Sequence, residues 1–130
     1  MPEIPVGTVG ERQIRVTPEI AISFLGDDNA RVLSTPEMIR LMEWTCRNTV
    51  LPLLDPGHDT VGTHVDVYHL ASAPVGTDVV FKVEVTQVDR RRLQFRVEAA
   101  SDSETIGKGM HERMIVNVAK FAAKQAEKRR

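Results

Sequence analysis

The stretch from Ser34 to Leu54, STPEMIRLMEWTCRNTVLPLL, restricts the fold more than any other, because it reads as one long helix with a buried face. At about 100° per residue, Met38, Leu41, Met42, Thr45, Cys46, Thr49, Val50 and Leu53 fall on one broad arc. Thr35 points into the middle of that arc. Glu43 stands at its margin, between Ile39 and Val50 on the apolar side and Arg40 and Arg47 on the polar side. Ser34-Thr35-Pro36-Glu37 supplies the start: with Ser34 as N-cap, Glu37 takes the capping-box position, and the missing N–H of Pro36 falls in the first turn. Asp55-Pro56-Gly57 reads as the stop. A helix this apolar needs a wide surface to lie against.

The chain after the helix supplies one, since its hydrophobic period changes to two. Val61, Thr63, Val65, Val67 and His69 share one face of a strand, with Gly62, His64, Asp66, Tyr68 and Leu70 on the other. Val79, Phe81, Val83 and Val85 form a second inward set, Leu93, Phe95, Val97 and Ala99 a third, and Thr105 to Val118 reads as a last strand. Short turns between them imply an antiparallel meander, and one helix against such a sheet makes an α+β layer. Before the helix, residues 1–11 read as an extended lead-in and Gln13 to Val16 as a short strand. Thr17-Pro18-Glu19 resembles a helix start, yet Ile20, Ile22 and Phe24 alternate as in a strand, and the extended form is preferred. Phe121 to Arg130 reads as a basic helical tail. At 130 residues, 1–130 is expected to form a single domain.

Charge and composition narrow the functional classes. With 17 basic and 18 acidic residues, the net charge of −1 gives no overall field to attract nucleic acid or a membrane surface. A single cysteine permits neither an internal disulfide nor a thiolate metal cluster. No apolar run approaches the roughly 18 residues of a membrane span, and the first residues lack a signal-peptide pattern, so a cytoplasmic protein is expected. His64 and His69 fall on opposite strand faces and cannot share a metal, and Gly62, Gly107 and Gly109 make no phosphate-binding fingerprint. No metal and no cofactor are expected. The run Arg90-Arg91-Arg92 and the basic tail read as solvated surface, with an anionic ligand such as a nucleotide phosphate as the other reading.

Three residues depart from the pattern. His69 lies on the apolar strand face; it is either a core histidine bonded to a backbone carbonyl or a functional group in a cleft. Glu43 either pairs with Arg47 one turn on or faces the sheet. Thr35 either satisfies helix N–H groups or, if Ser34 takes the cap, releases its hydroxyl toward the sheet. A hydroxyl, a carboxylate and an imidazole facing one helix–sheet interface form a set able to perform acyl transfer or hydrolysis.

Three motifs carry a family resemblance: Leu41-Met42-Glu43-Trp44-Thr45-Cys46 in the helix, Gly62-Thr63 followed by His69, and Ile106-Gly107-Lys108-Gly109-Met110-His111-Glu112-Arg113. Over roughly Thr35 to Val118 the chain resembles the fluoroacetyl-CoA thioesterase group of the hotdog-fold thioesterases. The resemblance implies a hotdog fold, an acyl-CoA substrate, and a homodimer with the active site at the interface. It also implies Thr35, Glu43 and His69 as catalytic residues and Gly62 and Arg113 as substrate-binding residues. For Arg113 the residues alone leave a pairing with Glu112 equally open. One departure is the segment from Ile22 to Thr35, several residues shorter than in that group and with Phe24 as its only aromatic. Thioester hydrolysis is therefore expected without specificity for a fluorinated acyl group. A non-catalytic acyl-CoA-binding protein is the alternative, and an enoyl-CoA hydratase is disfavoured because the helix carries no suitable Asp and His pair.

Overall fold

A computed structural model describes residues 4–23 and 26–130. Five strands, β1 (Val9–Arg15), β2 (His58–His69), β3 (Asp78–Asp89), β4 (Arg92–Ala100) and β5 (Thr105–Asn117), form one antiparallel sheet in the order β1-β3-β4-β5-β2. Helix α1 (Thr35–Val50) packs against one face of the sheet, and α2 (Val118–Lys128) follows β5. The core joins Met38, Leu41, Met42, Cys46 and Val50 of α1 to Phe81, Val83, Val85, Leu93, Phe95 and Val97 of the sheet. Burial at about 25 cal/mol per Å² of apolar surface makes this helix–sheet seam the main stabilising contact. The outward face is polar and carries surface ion pairs such as Arg96–Glu84. Phe24, the one aromatic of the Ile22 to Thr35 segment, lies outside the described residues.

Several expectations need correction. The helix ends at Val50 rather than before Asp55: Pro52 has no N–H to continue the ladder, so Leu51–Leu53 tightens into a 3₁₀ turn and Leu53 leaves the buried arc. The first strand starts at Val9, not Gln13, because seven residues pair with β3, from Val9 opposite Glu84 to Arg15 opposite Asp78. Gly10 permits this: a Cβ there would run into the Thr49 side chain of α1. Pro18–Ile20 forms a 3₁₀ turn, and the extended conformation begins only with Ala21, which bridges to Leu33. The C-terminal helix starts at Val118, capped by the Asn117 side chain on the N–H of Lys120.

The correction with most consequence is a bulge in β2. Gly62 lies opposite Arg113 and His64 opposite Glu112, so Thr63 is an extra residue. The bulge reverses the alternation. Thr60 and Gly62, not Val61 and Thr63, share the inward face with Val65, Val67 and His69. Among the described residues strand β2 is also an edge of the sheet, paired on one side only.

Candidate active site

Ser34 accepts the N–H of Glu37 as N-cap at 3.3 Å, which releases Thr35. The Thr35 hydroxyl instead meets Nδ1 of His69 at 2.7 Å, joining the first turn of α1 to the end of β2. Burial pushes the His69 imidazolium below its ordinary range, against a smaller opposing pull from the backbone of Ala71, so the ring is neutral near pH 7. Its other nitrogen, Nε2, is buried without a hydrogen-bond partner among the described residues. The pair borders a cavity of about 300 Å³ with Ile22, Leu33 and Ala71.

Glu43 lies two turns further along α1. It does not pair with Arg47, which forms a two-pronged bond to Asp59 at 2.7 and 2.9 Å and stacks on Trp44. Glu43 faces Arg113 of β5 instead, with Nη1 donating to Oε2 at 3.5 Å. The pairing of Arg113 with Glu112 is excluded, since Glu112 projects from the opposite face of β5. Arg113 is only 5% exposed. Its Nε donates to the Thr60 hydroxyl at 2.7 Å, its Nη2 to the Thr60 carbonyl at 2.8 Å, and its Nη1 also to Nε2 of His111 at 3.2 Å. Gly62 closes this cluster. A Cβ on it would fall 2.6 Å from Oε2 of Glu43 and 3.5 Å from Nη1 of Arg113, so only glycine leaves the carboxylate room. The group opens into a cleft of about 420 Å³ along α1, between Arg40, Trp44 and Arg47.

The five residues singled out from the sequence thus fall into two clusters, Thr35 with His69 and Glu43 with Gly62 and Arg113. Thr35 and Glu43 are eight residues apart, or about 12 Å along a helix axis. From Gly62 to His69, with one residue spent in the bulge, β2 advances roughly 20 Å. Within one chain the carboxylate and the His69 imidazole line different cavities.

The model of the fluoroacetyl-CoA-specific thioesterase family matches residues 16–119. A fluoroacetyl-CoA thioesterase of Streptantibioticus cattleyicolor is 40% identical over 97 residues, covering 75% of this chain and 70% of that protein. The chain belongs to the fluoroacetyl-CoA-specific thioesterase family. Its fold is similar to that of the solved fluoroacetyl-CoA thioesterase FlK, with a TM-score of 0.88 and 33% identity over 97% of this chain and 98% of that one. It is also similar to a thioesterase superfamily member from Thermus thermophilus, with a TM-score of 0.87 and 32% identity over 99% and 97% of the two chains. The five-stranded antiparallel sheet with one long helix against it is a hotdog fold. Among the described residues no helix is long and apolar enough to cross a membrane.

Two residues of the Glu43 cluster were not singled out in the sequence. Thr60 gave no signal, because an unbroken period of two, without the bulge, puts it on the outward face. His111 did give one: it alternates with Arg113 and Ile115 on the inward face of β5, where an imidazole is out of place among buried residues.

Proposed function

We propose that the protein hydrolyses short-chain acyl-CoA thioesters, and that each active site takes Glu43, Gly62 and Arg113 from one protomer and Thr35 and His69 from a second copy. The division of these residues between two cavities is the observation that carries this reading. An antiparallel pairing of β2 with the β2 of a second copy, about a two-fold axis near Asp66, resolves it. Once the bulge is counted, that register sets Gly62 opposite the partner's His69, with Val65 opposite the partner's Val67. Support comes from the edge itself. Among the described residues one side of β2 has no neighbouring strand, and Val65, Tyr68 and Leu70 are 39%, 67% and 53% exposed beside it.

In the composite site a thioester carbonyl lies between the two clusters. Glu43 takes a proton from a water whose oxygen bonds to the carbonyl carbon, or bonds to that carbon itself to give an anhydride that water opens. The Thr35 hydroxyl and the backbone N–H of Gly62 donate to the oxyanion. As the intermediate collapses, the C–S bond breaks and Nε2 of the neutral His69 ring carries to the departing CoA thiolate the proton that Glu43 took from the water, leaving the free acid and restoring the Glu43 carboxylate; on the anhydride route the thiolate takes its proton from solvent. Arg113, buried and fixed by Thr60, holds the carboxylate in place.

A panel of short acyl-CoAs assayed for free thiol tests the activity. Glu43→Ala and His69→Ala each reduce turnover by about 100-fold or more. Unchanged turnover in both variants removes the assignment. Binding of CoA esters without thiol release selects a ligand-binding role instead.

A further inference from the structure

We propose that His111 is a positioning residue of this site: its Nε2 holds the Arg113 guanidinium against Glu43, and its Nδ1–H fixes the β2 bulge that turns Gly62 toward both. The proposal rests on Glu43 as the reacting carboxylate.

The hydrogen bonds determine the tautomer. Nδ1 of His111 lies 2.8 Å from the carbonyl of His64, the residue that follows the bulged Thr63. A carbonyl only accepts, so Nδ1 carries the proton. Nε2 then offers a lone pair, and Arg113 Nη1 donates to it at 3.2 Å. Because Nη1 carries two hydrogens, one goes to His111 and the other is directed at Oε2 of Glu43 at 3.5 Å. Arg113 cannot give up a proton, so an imidazolium at position 111 would set two cations against each other. Burial and the guanidinium both favour the neutral ring.

Position 111 also reaches both sides of the site. The ring is 1% exposed and packs on Phe95, with ring centroids 6.3 Å apart. Its Cε1 lies 3.3 Å from where a Cβ on Gly62 would stand. One side chain therefore sets the aim of the guanidinium and bonds the bulge that makes Gly62, rather than Thr63, the inward residue. A histidine serving only as core filler would need no acceptor directed at a buried cation.

Two substitutions separate the ring nitrogens. His111→Asn keeps a donor near Nδ1 and loses the acceptor at Nε2, whereas His111→Gln places an acceptor near Nε2 and loses the donor to His64. Thiol-release assays with the best acyl-CoA of the panel are expected to show kcat reduced on the order of 10- to 100-fold in His111→Asn, the rate equivalent of one charge-assisted hydrogen bond, with KM within about threefold. His111→Gln is expected to restore most of that rate while melting lower than His111→Asn. Equal loss of kcat in both variants, in step with equal loss of Tm, marks a structural role and overturns the proposal, as does full kcat in His111→Asn. A second measurement does not depend on turnover. Long-range ¹H–¹⁵N spectra of the unmodified protein at pH 7 are expected to show His111 neutral with its proton on Nδ1. An Nε2–H tautomer or an imidazolium overturns the proposal even if no acyl-CoA is hydrolysed, whereas the Nδ1–H tautomer in a protein inactive on the whole panel retains the geometry and removes the thioesterase reading.

Discussion

Replacing Gly62 by alanine should move activity and stability in opposite directions. The new methyl would stand 2.6 Å from Oε2 of Glu43. An ordinary contact needs about 3.4 Å, and the carboxylate, at the end of a flexible side chain, yields more readily than the strand. A retreat of roughly 0.8 Å takes Oε2 out of reach of Arg113 Nη1, whose bond is already 3.5 Å long. A hydrogen bond to a charged group contributes about 1.5–3 kcal/mol when shielded. Glu43 retains 38% side-chain exposure, so the lower end, about 1.5 kcal/mol or roughly tenfold in rate, is the expectation. Stability should move the other way, because alanine in a strand is better than glycine by about 0.5–1 kcal/mol. Steady-state thiol release together with thermal melting measures both. A Gly62→Ala protein with unchanged kcat refutes the reasoning, and one whose kcat and Tm fall together shows that the methyl displaced the strand and not the carboxylate.

Other outcomes follow from the same contacts. His69 and His111 both bind protons more weakly in the folded chain than their ordinary value near 6.5, so their contribution to stability is full above about pH 6.5 and is lost as pH falls through the lowered folded values. Urea midpoints measured from pH 7 to 5 should decline, and His69→Asn should flatten the decline; a midpoint that rises toward pH 5 contradicts the sign. Gly10→Ala should destabilise by about 1–3 kcal/mol through overpacking, since its Cβ would stand 2.8 Å from Thr49 Cβ. Adding Thr49→Ala should recover part of that loss, and denaturant titration of the single and double variants checks it.

The helix and the β3-β4-β5 meander were legible because each rests on a local period, whereas β2, expected to pair with the strand that follows it, lies at the far edge beside β5. The arc of Met38, Leu41, Met42, Thr45, Cys46 and Val50 is buried in the structure, as are the inward sets of β3 and β4. The release of Thr35 was legible too, since Ser34 and Glu37 already satisfied the helix start. Contacts between distant segments were not. Glu43 meets Arg113 seventy residues away, and nothing near Glu43 distinguishes that partner from Arg47 one turn on. The bulge at Thr63 leaves no signature in composition, so period two placed Gly62 and Thr60 on the wrong face. Pro52 was a visible stop, passed over because the apolar pattern continued through it.

The composite site is tested most directly by mixing two inactive chains. Glu43→Ala and His69→Ala proteins, unfolded together and refolded as an equimolar mixture, form hybrid pairs in which one site holds both substitutions and the other holds neither. If each site is shared between two copies, the mixture should recover about a quarter of the unmodified turnover, because random pairing makes half the dimers hybrids with one intact site. If Glu43 and His69 of the same chain serve one site, every site in the mixture carries one defect, and turnover stays at the level of the separate variants.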